Sequence, residues 1–233
     1  MGKLDFSTLF SDHYFPLLVT GLLMTLLLFA LAWCLAMALG LLLAVTRMLP
    51  FRPLRFVAAL FVEYQRNVPL LVHLLVWYFG VPQLLPWRVN GWLNDHNAEF
   101  LFAVVAIGCY NSAYISEYLR SGLRAIPKVQ FEASRSVGFG FFGALWWVIL
   151  PQAWRNALPG LVNQSLIIFK GTSLGAVIGV TELTYQARLI ESETYRVFET
   201  FIVISLVYLA GTLPLMALGA KVQRRGGASA RGQ

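Results

Sequence analysis

Between Leu17 and Val45 the chain carries no charged residue. At about 1.5 Å per residue, that run exceeds the roughly 20 residues a helix needs to cross a hydrocarbon core about 30 Å thick. Hydrocarbon offers no water to exposed backbone N–H and C=O groups, so an uncharged run of this length has to be helical. Further apolar runs at 56–80, 100–119, 156–181 and 201–220 predict four more spans. The fold class expected is all-α integral membrane. Residues 1–233 form a single membrane-spanning domain with five transmembrane helices, a cytoplasmic loop over 120–155 and a tail over 221–233. Composition agrees, since only 12% of residues are charged and 58% are hydrophobic, whereas about a quarter are charged in soluble domains.

The net charge of +7 invites a nucleic-acid reading, but the basic residues sit between apolar segments rather than along one face. Arg47, Arg52, Arg55, Arg120, Arg124, Lys128, Arg135, Arg155, Lys221, Arg224, Arg225 and Arg231 fall on one side of a five-helix topology. Lys3, Arg88, Arg188 and Arg196 fall on the other. The positive-inside rule then places the N-terminus outside and the C-terminus in the cytoplasm, with lipids as partners and no nucleic acid. The first apolar run is too long for a cleaved signal peptide, so the N-terminal segment is expected to remain. Cys34 and Cys109 lie in apolar segments and read as buried free thiols. Residues 182–200, with Glu182, Glu191, Glu193 and Glu199, read as a solvated acidic face, and the tail from Lys221 reads as disordered.

Polar residues inside the apolar runs are the candidates for function, because intramembrane charge is costly and usually faces a cavity or a partner. Glu63, Arg66 and Asn67 interrupt the second run just before Pro69. Asn111, Tyr114 and Glu117 form a stripe on the third. Asn163, Gln164, Lys170, Thr172 and Ser173 make the fourth the most polar. Each has a structural alternative that the residues leave open: a Glu63–Arg66 pair that only fixes helix position, interhelical hydrogen bonds along the stripe, and a snorkelling Lys170. Ala32, Ala36 and Gly40, like Gly171, Gly175 and Gly179, recur every four residues and predict close helix packing. His13, His73 and His96 lack metal-ligand spacing.

The stretch 131–159, FEASRSVGFGFFGALWWVILPQAWRNALP, differs from its surroundings. Glu132 opens a short helix, with Arg135 three residues on to pair with it. Gly138 and Gly140 permit a change of direction, and Pro151 and Pro159 are expected to end the segment that follows. Such an element on a membrane surface suits docking to another protein, or is an ordinary interfacial helix. Gly138 to Gly143 also spells G-x-G-x-x-G, but no strand, βαβ unit or later acidic residue accompanies it, so a dinucleotide turn is excluded.

Glu132-Ala133-Ser134, Gly138 and Val148-Ile149-Leu150-Pro151 follow the spacing E-A-A-x3-G-x9-I-x-L-P, with Ser134 and Val148 as conservative departures. This resembles the coupling loop of ABC importer permeases. Glu63 to Pro69 with Leu70 to His73 and Trp77 to Phe79, Ala113 to Gly122, and Phe169 to Leu174 are similar to the polar amino acid branch of that family, with Gly171 departing at a polar position. The resemblance implies a permease subunit of an ATP-driven amino acid importer, similar to glutamate/aspartate or general polar amino acid permeases. Two permease subunits, identical or similar, would form the path. A cytoplasmic ABC ATPase dimer would dock on Glu132, Ala133, Ser134, Gly138, Leu150 and Pro151, and an extracytoplasmic binding protein would deliver solute near Arg188 and the external carboxylates. Closure of the ATPases would then push Glu132 to Gly138 of the two subunits together and open the cavity outward. No cofactor is expected in this chain, which has no G-x4-G-K-[S/T] loop; ATP and Mg belong to the ATPase, so the chain is not itself an enzyme. The alternatives are an ion-coupled secondary transporter or channel using Glu63, Glu117 and Lys170, and a membrane enzyme using Glu117 or Glu132.

Overall fold

The computed structural model describes residues 4–230, and among them every regular element is helical. The helices are α1 (Tyr14–Thr46), α2 (Arg52–Asn67), α3 (Leu70–Leu75), α4 (Trp87–Asp95), α5 (Ala98–Arg124), α6 (Lys128–Ser136), α7 (Phe141–Ala144), α8 (Leu150–Gly171), α9 (Leu183–Thr194) and α10 (Val197–Ala230). Wider π-type turns extend α3 over Val76–Gly80 and join α7 to α8 over Leu145–Ile149.

Among the described residues, four continuous segments are long and apolar enough to cross a membrane: Tyr14–Thr46, Ala98–Arg124, Phe141–Ile178 and Val197–Lys221. A fifth is broken. Arg52–Asn67 and Leu70–Leu84 meet at an angle of 108°, where the apolar run 56–80 alone suggests one helix. Pro69 has no N–H to donate and drives the preceding residue out of the helical region, and Val68 is extended at φ −106°, ψ 134°.

Helix α1 is apolar on every side, so hydropathy cannot choose its inner face. Size chooses it. Leu18, Gly21, Thr25, Leu28, Ala32, Ala36, Gly40 and Ala44 are buried at three- and four-residue spacing and face chiefly α5, while Leu23, Leu31 and Leu41 stay exposed. At Gly40 a Cβ would lie 2.5 Å from Ile115 Cγ2 and 3.1 Å from the Ser112 carbonyl. Only glycine lets α5 approach so closely.

Several boundaries differ from the sequence reading. Pro151 stands in the first turn of α8 and Pro159 lies inside that helix, so neither ends it. A first-turn proline costs no hydrogen bond. The helix tightens into a 3-10 turn over Thr172–Ile178 and stops at Gly179, whose φ of 92° makes it a turn residue rather than part of a packing stripe. Cys34 is exposed and Cys109 is half-buried. The helical backbone of α10 runs on to Ala230, which replaces the disordered tail expected from Lys221, and residues 231–233 lie outside the described residues. Helices α4 and α9 form between the expected spans; Glu182 caps α9 with its side chain.

Replacing Gly40 by Val is expected to destabilise the α1–α5 contact by about 1–3 kcal/mol through overpacking. Gly91 in α4 has nothing within 4 Å of an added Cβ, so Gly91→Ala should leave stability unchanged or slightly raised. Thermal unfolding of the two purified variants in detergent checks the difference; an unshifted midpoint in Gly40→Val would contradict the close approach.

Candidate functional site

The break in the second span presents charge to the surface. Glu63 and Arg66, one helical turn apart on α2, approach to 4.0 Å with side chains 58% and 42% exposed. Asn67 donates its side-chain amide to the Glu63 carbonyl at 2.7 Å and to its carboxylate at 3.3 Å. The Arg66 guanidinium lies 5.9 Å from the centre of the Tyr114 ring, and the Tyr114 hydroxyl donates to the Arg66 carbonyl at 3.4 Å. Thus α2 and α5 are tied at this point. Lys170 and Asn163 are exposed on α8, with Ser173 half-buried beside Lys170. Leu70, just past the break, would lie 3.3 Å from a Cβ on Gly171, so the start of α3 packs against the end of α8.

The other residues of the expected path turn inward. Asn111 is fully buried; its amide donates to the Ile107 carbonyl at 2.7 Å, and its oxygen accepts from Gln164 at 2.5 Å. This pair joins α5 to α8. Thr172 is fully buried and donates back to the Phe169 carbonyl at 2.7 Å. Glu117 is engaged by two arginines. It accepts from Arg120 at 3.2 Å on its own helix and pairs with Arg47 at the end of α1. A carboxylate between two guanidiniums is held in place and not presented to a passing solute.

Two further residues, His73 and Gln65, also gather at the break. His73 is buried between the rings of Tyr64 and Tyr110, with centroids 5.1 and 5.6 Å away. Its Nε2 and the buried Gln65 Oε1 have no hydrogen-bond partner among the described residues.

In the stretch between α5 and α8, Glu132 and Ala133 are exposed on α6 and Ser134 is buried, donating to the Phe131 carbonyl at 2.7 Å. Small size at this position is therefore a packing requirement. Gly138 adopts φ 96°, a conformation that side-chain-bearing residues rarely take, and turns the chain toward α7. Gly140 is at φ −65° and needs no glycine. Arg135 does not pair with Glu132; its guanidinium donates across the turn to the Phe139 carbonyl at 3.1 Å. Phe131 packs edge-on to Phe141 at 5.7 Å, fixing α6 against α7. Leu150 and Pro151 are exposed where α8 begins.

At the opposite end of the bundle, Glu182 is fully buried rather than solvated. Its carboxylate accepts from the amides of Thr184 and Tyr185 at 2.9 and 3.0 Å, the Tyr208 hydroxyl at 2.8 Å and the Thr25 hydroxyl at 3.4 Å. One side chain thereby binds α1, α9 and α10 together. Burial pushes this carboxyl above the usual range, against the downward pull of those hydrogen bonds. Glu199 is also buried and accepts from the Asp5 amide at 3.2 Å, while Asp5 and Arg196 form an ion pair at 3.0 Å. Hydrogen bonds from Ser7, with Arg196 adding to them, hold the Asp5 carboxyl below its usual range. Among the described residues no cluster of His, Cys, Asp and Glu has the makings of a metal site.

Several apolar helices around a broken, charge-bearing span define a multi-pass membrane protein with a polar face. Residues 36–226 match the model of the binding-protein-dependent transport system inner membrane component. The chain belongs to that family of ABC transporter permeases. It is 37% identical over 212 residues to the probable glutamine ABC transporter permease protein GlnM of Bacillus subtilis, covering 91% of this chain and 93% of that one. It is 31% identical to the arginine transport system permease protein ArtQ of the same organism, covering 96% and 97%. Among solved structures, an amino acid ABC transporter crystallised with histidines superposes with a TM-score of 0.83 at 36% identity, covering 96% of this chain and all of the other. The methionine transporter MetNI in an inward-facing form shares the fold, with a TM-score of 0.67 at 19% identity over 91% and 99% of the two chains.

Glu182→Ala would strand the amides of Thr184 and Tyr185, at a cost of about 1–3 kcal/mol for each group left unsatisfied, while the Tyr208 hydroxyl keeps Thr184 Oγ1 as a partner. Hydrogen exchange at the amides of residues 183–186 should accelerate strongly, whereas Arg188→Ala, on the exposed side of α9, should leave it unchanged.

Proposed function

We propose that this chain is the membrane permease subunit of an ATP-driven importer of a polar amino acid. The observation that carries the proposal is the exposed α6 element: Glu132 and Ala133 face outward, Ser134 is packed inward, and Gly138 makes a left-handed turn into the segment leading to Leu150 and Pro151. A short, rigidly seated helix between two spans can pass a push from a docked protein into α5 and α8. In this reading α6 is the cytoplasmic coupling helix. It takes a partner ATPase dimer that binds ATP and Mg, the N-terminus lies outside, and the C-terminus is cytoplasmic.

Glu63, Arg66, Asn67, Lys170 and Ser173 supply the path. A lone subunit exposes both signs of charge on segments that cross hydrocarbon, and lipid does not accommodate charge cheaply. A second permease subunit facing this surface would enclose it. The enclosed cavity would then offer cations to an α-carboxylate and Glu63 to an α-ammonium, which is the common part of any amino acid. The relatives named for glutamine and arginine and the neighbour crystallised with histidines support that class. An extracytoplasmic binding protein would dock at the end carrying α9. The ion-coupled alternative loses one of its three charges, because Glu117 is committed to Arg47 and Arg120.

Glu132→Ala and Gly138→Asp are each expected to leave membrane insertion intact and to abolish solute-stimulated ATP hydrolysis by the co-purified ATPase. Normal stimulation in either variant would remove the coupling role from α6.

A further inference from the structure

A groove of about 570 Å³ runs between the end of α1, the end of α5 and the start of α8. Met37, Leu41, Met48, Leu119, Leu145 and Trp154 form much of its wall, and Arg120 is its one polar lining residue. There the guanidinium of Arg120 and that of Arg47, with side chains 11% and 12% exposed, share the single carboxylate of Glu117. No other carboxylate pairs with either among the described residues, which include every acidic residue of the chain. One positive charge is therefore left over in a largely desolvated position, and Arg124 stands one turn further along α5. Buried charge of this kind calls for an anion.

The direction of the groove says what supplies it. Within the spans, α1 exposes only uncharged residues, whereas α2 and α8 expose Glu63, Arg66 and Lys170. The α1 side is thus the one that meets lipid, and the groove opens along it. We infer that the groove binds one anionic phospholipid, with an acyl chain against Leu41, Met48 and Trp154 and the headgroup phosphate over Arg120.

The test uses the full transporter reconstituted in phosphatidylcholine vesicles, with brominated phosphatidylglycerol or brominated phosphatidylcholine titrated in at low mole fraction. Bromine quenches indole emission on contact, and the difference between wild type and Trp154→Phe isolates the groove. Half-quenching of the Trp154 emission is expected at a several-fold lower fraction of the anionic lipid. Arg120→Gln should abolish that preference and Arg120→Lys should retain most of it. Equal quenching by the two lipids would overturn the inference by showing a chain without headgroup selection, and quenching by neither would show that protein covers the groove. The wild-type comparison decides the matter even where an Arg120 variant fails to assemble, and it is independent of whether α6 couples to an ATPase.

Discussion

A charge carried into hydrocarbon must be paired, hydrogen-bonded or turned toward water or protein, and this requirement sorts the whole molecule. Glu117 is neutralised by two arginines at one end of the bundle, and Glu182 is wrapped by amides and hydroxyls at the other. Asn111 and Gln164 satisfy each other between α5 and α8. What stays on the surface is the group around the break in the second span, Glu63, Arg66 and Lys170, while the two arginines at Glu117 leave one positive charge over. The residues a subunit cannot pair internally mark the face it offers to water and to its partners.

The same economy explains the rigid part of the fold. Helix association in lipid draws little from the hydrophobic effect, so α1 and α5 hold together by close contact through small residues and by polar links at their ends. Gly40 against Ile115 sets the approach, and Arg47 to Glu117 fixes the register. The Glu182 knot then carries α9 and α10 with α1. Against this frame, α2 and α3 meet at an angle that Pro69 imposes, and the polar break is held open where the chain itself cannot close it.

That the chain has several apolar spans was legible because it depends on length and apolarity, which are properties of contiguous residues. The turn at Gly138 was legible too, since a left-handed residue needs glycine. The division of the polar residues was not. Glu117 and Glu63 both look like intramembrane carboxylates in the sequence, and nothing local says that Arg47, seventy positions away, reaches only the first. Glu182 read as solvated because acidic loops usually are; its partners Thr25 and Tyr208 come from distant helices. Capping chemistry was the one available signal, since a carboxylate at position 182 is placed to accept the amides of Thr184 and Tyr185.

By itself, then, the sequence determined a multi-pass helical membrane protein, the family motif around Glu132 and Gly138, and the interruption at Pro69, because hydropathy, glycine and proline act through local backbone physics. Only the tertiary structure decided which polar side chains are consumed in holding helices together and which are left exposed. Pairing at a distance depends on how helices of nearly uniform apolarity choose their contact faces. That choice is made by side-chain size and by partners far away in the chain.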